Sequence, residues 1–285
     1  MNKNMIVGAA ALWVAGAASA ALVTGFDQRY QADDYNTDTG IWTDSASGWN
    51  ATATGTFGTT TTANGSTAVV NTGAGTAMGF TRGIALGGAG YTIQAVIRID
   101  DGNTDLRQGP IAMGDGGWGG VFMGAQTEAD GNVRLRGGNQ AGSSGANVLQ
   151  IDSTMTGVTD GMWGVYTLVV DATDGVETMT ASFNQLDGTS LFMETYGVGL
   201  TADVGQIDAV GQLFGGEYGQ GDADSWLGAI ADVIIYNSAL STLDLATNEA
   251  EFQSLYVAAI PEPATLGLIA IFGGGMLFIR RYFRN

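Results

Sequence analysis

Trp226-Leu-Gly-Ala-Ile-Ala-Asp-Val-Ile-Ile-Tyr-Asn237 is the stretch whose reading decides the fold. Its apolar residues fall on both parities, so a strand here has two faces to bury and suits a central, core-lining position. Just beyond it, Ser241 opens a helix. Ser241 and Asp244 form a capping-box pattern with Asp in the usual Glu position, and Leu245, Glu249, Phe252 and Tyr256 carry the helix onward. Upstream, Tyr91 to Ile99 alternates cleanly. Tyr91, Ile93, Ala95, Ile97 and Ile99 share one face, and Thr92, Gln94 and Arg98 share the other. Residues 164–171 and 176–184 read as a strand pair joined by Ala172 to Gly175. Asp130-Gly131 and Asp187-Gly188 mark further hairpins, because Asp-Gly tolerates positive φ. Strands at turn spacings of roughly 8–12 residues argue for a sandwich or jelly roll. The Thr/Gly/Ala-rich stretch from Ala51 to Gly75 is expected to hold loops or edge strands, with a linker as the alternative.

Composition narrows the chemistry. The chain has no cysteine and no histidine. That removes disulfides, Ser-His-Asp and Cys-His catalysis, and most zinc or copper sites. Setting aside Lys3, Glu262 and the three tail arginines leaves 6 basic and 27 acidic residues, a net charge near −21. Such a surface repels phosphate backbones and argues against a nucleic-acid partner.

Both ends carry export signals. Lys3, the apolar run Met5 to Ala17, and the small residues Ala18-Ser19-Ala20 read as a signal peptide over residues 1–20, cleaved after Ala20. The mature domain then spans residues 21–259. At the other end, Pro261-Glu262-Pro263 precedes an apolar run, Ala264 to Ile279, and then Arg280, Arg281 and Arg284. The run, if helical, is about 24 Å long at ~1.5 Å per residue. That is slightly short of a ~30 Å hydrocarbon core. The arginines act as a cytoplasmic stop, so a membrane helix is expected over about 264–281. Over 260–285 the tail resembles the PEP-CTERM sorting signal. The resemblance implies processing by an exosortase at the envelope of a Gram-negative bacterium. Pro261, Glu262, Pro263, Arg280 and Arg281 would be the recognised features. A permanent transmembrane anchor is the plainer alternative.

A second resemblance covers residues 213–256. Leu213-Phe-Gly-Gly216, then Trp226-Leu-Gly228-Ala-Ile-Ala-Asp232-Val-Ile-Ile-Tyr-Asn237 and Ala239-Leu240-Ser241 before a helix, resemble the closing strands of a LamG-like, concanavalin A-like jelly roll. Asp232 stands where that family usually carries Glu. The resemblance implies an all-β, two-sheet antiparallel sandwich with one helix near 241–256, which binds carbohydrate or protein, frequently with calcium.

Candidate chemistry is sparse. The Glu-x-Asp-x-x-Glu pattern of glycoside hydrolases on this fold is absent; Glu128-Ala-Asp130 is followed by Val133, and Asp130 is better explained by its turn. Calcium is the one cofactor the sequence suggests, with Asp101, Asn103 and Asp105 in one acidic loop and Asp222 and Asp224 in a second. Leu106 and Ala112 stand where an EF-hand needs Gly and Glu. The plainer explanation of both loops is a solvated acidic surface. Trp118, flanked by glycines, is the candidate sugar platform; Trp163 and Trp226 read as core, and Trp42 and Trp49 are open. The expected protein is an exported, non-enzymatic module that binds polysaccharide or a surface protein. Its expected processing partners are signal peptidase and exosortase. The alternatives are a carbohydrate-active enzyme with a carboxylate pair outside any motif, and a purely structural surface protein.

Overall fold

The structure is a computed structural model and describes residues 21–62, 64–73, 75–81, 90–103, 109–114, 120–140, 148–155, 157–172, 178–197, 210–215 and 225–257. The signal-peptide residues Ala18 and Ala20, the sorting-signal residues Pro261, Glu262, Pro263, Arg280 and Arg281, and the expected membrane helix lie outside them. No helix among the described residues is long and apolar enough to cross a membrane.

The described strands are β1 (Gln28–Asn36), β2 (Ile41–Asp44), β3 (Ala51–Gly55), β4 (Gly58–Thr61), β5 (Thr67–Asn71), β6 (Gly75–Thr81), β7 (Gly90–Ile99) and β8 (Ile111–Gly114). They continue as β9 (Gly120–Thr127), β10 (Val133–Gln140), β11 (Val148–Met155), β12 (Trp163–Asp171), β13 (Thr178–Gln185), β14 (Ser190–Gly197), β15 (Val210–Leu213) and β16 (Gly228–Tyr236). One helix follows, α1 (Thr242–Tyr256). Every described pairing is antiparallel, and the ladder runs β11-β10-β9-β8-β15-β6-β3-β2-β1-β16-β7-β12-β13-β14. It folds into two facing layers. β1 makes the corner: Gln28 to Gln31 pair with β16, a register shift follows, and Tyr35 and Asn36 pair with β2. At the far edges β11 returns against β14, where Ser153 donates its hydroxyl to Glu194.

The sequence-expected sandwich is therefore the observed one, with specific departures. As expected, Ala51 to Gly75 holds turns and an edge strand, β4, which among the described strands pairs with β5 alone, but it is no linker, and β3 and β5 are interior strands. Val69, Val70 and Asn71 pair with the start of β16, whose other residues on that edge pair with β1. The two Asp-Gly turns sit where expected, with Gly131 at φ +84 and Gly188 at φ +89. In each, the carboxylate accepts from a backbone N–H two residues on, Asn132 at 3.0 Å and Thr189 at 2.9 Å.

Between the layers lies the main core, filled by the inward parity of both sheets, including Tyr91, Ile93, Ile97, Val121, Met123, Leu135, Tyr166, Leu168, Ile230 and Val233. The Tyr166 hydroxyl crosses it to donate to the Arg136 carbonyl at 3.0 Å. A second core lies outside the first layer, under α1, where Val96, Val165, Ala231, Ile234 and Tyr236 meet Phe252 and Tyr256. So β7 and β16 are buried on both faces. A helix of 15 residues is marginal by itself, and its packed face holds it here. Burying Phe252 alone contributes about 1.5–3 kcal/mol. The Ser241 cap is half of the expected box. Its hydroxyl oxygen accepts from Asp244 N at 3.2 Å, and the hydroxyl itself donates to Asp244 Oδ2 at 2.7 Å.

Polar groups under the helix are matched to one another. Asn248 donates to Gln94 Oε1 at 2.7 Å and to the Tyr236 hydroxyl at 2.9 Å, while its own Oδ1 accepts from Val23 N at 2.8 Å. Deeper along β16, a register slip between Ile230 and Asp232 turns both Ala231 and Asp232 toward the helix. Asp232 is fully buried and receives Arg29 Nε at 3.2 Å, Arg29 Nη2 at 2.6 Å and the Tyr256 hydroxyl at 2.9 Å. Burial lifts Asp232 above its ordinary value, and Arg29 and Tyr256 pull against that lift. Burial, and next the charge of Asp232, push the Tyr256 hydroxyl strongly up, which keeps it a donor. Replacing Asp232 by Ala strands the Arg29 guanidinium and is expected to cost about 3–5 kcal/mol. The double variant Arg29→Met/Asp232→Leu should cost less than either Arg29→Met or Asp232→Leu alone. Urea denaturation followed by circular dichroism measures all four.

Candidate functional site

α1 covers β16, β7 and the start of β12 in the first layer, while Met193 and Tyr196 of β14 stay exposed beyond it, and the second layer turns its outward side away from the core. Strand alternation decides which residues reach it. Val121, Met123, Ala125, Val133 and Leu135 point into the core, so Phe122, Gly124, Gln126, Arg134 and Arg136 point out. The register aligns Gln126, Arg134 and Thr154 in one cross-strand row and Gly124, Arg136 and the Asp152 position in the next. Arg134 and Arg136 are half-buried. Farther across the sheet Thr52, Thr54, Gly79 and Thr81 are exposed. The centre of the face is covered: Phe122 and Ala112 are fully buried in a small cluster of their own. Gly109 lies so close that a Cβ on it would stand 2.8 Å from the Phe122 ring.

The sequence reading missed these arginines. Their signal was present in Val133-Arg-Leu-Arg136, an apolar-in, cation-out alternation, in a chain with few cations to spend.

Of the acidic candidates, Asp101 and Asn103 are described, in the loop that follows β7. Asp100 is held by Arg98 through two bonds of 2.6 and 2.7 Å, which raise the arginine's pKa. Arg98 also lies 5.6 Å above the Trp163 ring. Asp101 donates its backbone N–H to Asp160 Oδ1 at 2.6 Å, so the structure adds Asp160 to the loop. Asn103 is fully buried and turned inward. It donates to the Asp100 carbonyl at 2.8 Å and the Leu227 carbonyl at 2.6 Å, and accepts from Leu227 N at 2.7 Å. Its own carbonyl accepts from Thr127 N at 2.7 Å. Asn103 lies within one acidic segment of the chain and Leu227 follows the other, and these two described residues are in direct contact. Asp105, Asp222, Asp224 and Trp118 themselves lie outside the described residues. Among the described residues no group of three or more His, Cys, Asp or Glu could hold a metal ion.

The remaining candidates separate by role. Trp42 and Trp226 are fully buried. Trp49 is half-buried and accepts the Tyr30 hydroxyl at its carbonyl, 2.7 Å away. Trp163, expected in the core, is only partly buried because it ends β12's outward face beside Arg98. Among the carboxylates, Asp44 caps its loop by accepting from Arg29 N at 2.9 Å and Ala46 N at 2.9 Å. Glu128 accepts from Thr154 Oγ1 at 3.0 Å.

Solved structures share this architecture. The enzymatically active domain of bacteriophage CBA120 tailspike protein 2 superposes with a TM-score of 0.52 at 14% identity, over 71% of this chain and 30% of that one. The full-length tailspike protein 2, from a bacteriophage of Escherichia coli O157:H7, gives a TM-score of 0.53 at 14% identity, over 70% and 27%. The chain thus spans less than a third of the length of these structures, and the likeness is one of fold. No family model matches the sequence, and no curated protein matches it.

Because Asn103 ties the acidic loop to the start of the central strand, Asn103→Ala should leave the Leu227 and Asp100 backbone groups unpaired. The expected loss is about 1–3 kcal/mol. Differential scanning calorimetry would register it as a lower midpoint in calcium-free buffer.

Proposed function

We propose that this protein is an exported, surface-displayed binding module that engages carbohydrate through a LamG-like jelly roll. The observation that carries the reading is the asymmetry of the sandwich. The central strands β16 and β7 of one sheet are sealed under a helix, and the other sheet turns Gln126, Arg134, Arg136 and exposed threonines outward. Amide, guanidinium and hydroxyl groups on a sheet face suit sugar hydroxyls, which need donors and acceptors together. Export by a signal peptide over residues 1–20 and envelope sorting through the tail at 260–285 belong to the same proposal and rest on the sequence. Calcium belongs to the same proposal, at the acidic loop of Asp101 and Asn103, whose carboxamide accepts from Leu227 N.

Glycan-array binding of the full chain, with and without chelator, is the test. Binding to one or more glycans supports the module, and chelator sensitivity supports calcium at the acidic loop. No binding to any glycan sinks the carbohydrate reading and favours a structural surface protein. For the tail, mass spectrometry of the mature C-terminus should find it cut near Pro261; an intact Asn285 in the membrane fraction would mean a permanent anchor.

A second reading, a carbohydrate-active enzyme, draws on the tailspike domain of the same fold, which is described as enzymatically active. It requires two carboxyl groups about 5–9.5 Å apart in a groove. Release of reducing ends from a bound glycan would favour it over simple binding.

A further inference from the structure

We propose that residues 21–26 form a strap that closes on α1 only after the chain is cut before Ala21, so that signal-peptide removal and locking of the helix are successive steps. This rests on the export reading above. Val23 is the third residue beyond the expected cut, and both of its backbone groups are engaged under the helix. Its N–H donates to Asn248 Oδ1 at 2.8 Å, and its carbonyl accepts from the Tyr236 hydroxyl at 2.9 Å. Leu22, Val23 and Phe26 pack against the cluster that holds Phe252 and Tyr256. The Phe26 ring meets Tyr236 edge-on, with centroids 6.1 Å apart. Gly25, at φ +90, makes the turn from the strap toward β1, and Asp27 N then donates to the Ile235 carbonyl at 2.8 Å.

Both ends of the helix are anchored without the strap. Leu240 N, just before α1, donates to Thr92 Oγ1 at 2.9 Å. At the other end the Tyr256 hydroxyl donates to Asp232 at 2.9 Å, and the Leu255 carbonyl accepts from Ser66 Oγ at 2.9 Å and from the Asn64 amide. The middle is different. Asn248 is fully buried, and the donor to its Oδ1 is Val23. A buried acceptor is costly to leave unpaired, so the middle of the helix locks when Val23 arrives.

Cleavage and docking compete for the same groups. A peptidase that cuts after Ala20 holds the chain extended on both sides of the bond and pairs with its backbone as with an added strand. Ala21 is exposed, but the bond to be cut lies only two residues, about 7 Å of extended chain, from the engaged N–H of Val23. A cleft that wraps both sides of that bond needs Leu22 and Val23 free, and the packed helix needs them bound. The cut therefore comes first and the lock second.

The experiment compares, in one detergent, the mature protein from Ala21 to Asn285 with a full precursor in which Ala18→Arg/Ala20→Arg blocks the cut. Amide hydrogen exchange over residues 245–252, read by mass spectrometry, should be about tenfold faster in the precursor. In the mature protein Val23→Pro, which removes the donor, should speed exchange by a similar factor, and Thr24→Ala, at an exposed neighbour, should not. Should the precursor fail to fold, these two variants decide: faster exchange in Val23→Pro than in Thr24→Ala supports the strap, and equal exchange overturns it. Equal exchange in a folded precursor and the mature protein would also overturn it. N-terminal sequencing of the exported protein separates the two readings. A first residue other than Ala21 removes the expected cut and the strap's timing with it, whereas Ala21 with equal exchange overturns the strap and leaves export intact.

Discussion

A carboxylate held wholly out of water organises this domain. Asp232 sits in the middle of the central strand and is reached by the Arg29 fork from β1 and by the Tyr256 hydroxyl from the last turn of α1. β1, 203 positions away, and the consecutive elements β16 and α1 therefore converge on one group. Taking that charge out of water is costly, and the cost is recovered only when all three are in register. The bulge at Ile230 to Asp232 is part of the same arrangement. Without it the carboxylate would face the inter-sheet core, where no cation waits.

From that junction follows the asymmetry of the molecule. The helix docks where Asp232 and the Asn248 network receive it, so β7 and β16 are covered on both sides, and β16 is apolar but for Asp232. The second sheet has one face in the core and one turned outward, and its strands alternate accordingly, as Val133-Arg-Leu-Arg136 does most clearly. A cation on β10 is cheap because water or a ligand solvates it; the same cation on β7 or β16 would need a dedicated carboxylate. The division between the sealed central strands and the presenting sheet thus rests on burial, and burial rests on where one helix docks.

Local chemistry made much of this legible in the sequence. The 91–99 alternation, the Asp-Gly hairpins and the Ser241 cap depend on neighbours within a few residues, and they appear where expected. What stayed hidden involves distant partners. Thr92, Gln94 and Arg98 read as a plain polar face, yet the helix buries the first two and makes Gln94 a partner of Asn248. Asn103 read as an oxygen ligand in an acidic loop, yet its carboxamide faces inward onto Leu227 across 124 positions of chain. The Thr/Gly/Ala-rich stretch has few large side chains, and only its pairing with β16 and β6 and within itself makes strands of it.

The sequence by itself determined the class: all-β, one helix after the last strand, no thiol or imidazole chemistry, and ends that read as export signals. Those properties follow from residue type, period and turn preference, which act over short spans of chain. The tertiary structure decided which faces are inside, that Asp232 belongs to Arg29, and that Arg134 and Arg136 look outward together. Such matters depend on the register between strands and on what packs over each sheet. Register and cover are set by contacts between residues up to some two hundred positions apart, as with Arg29 and Asp232 at a separation of 203, and no local pattern encodes them.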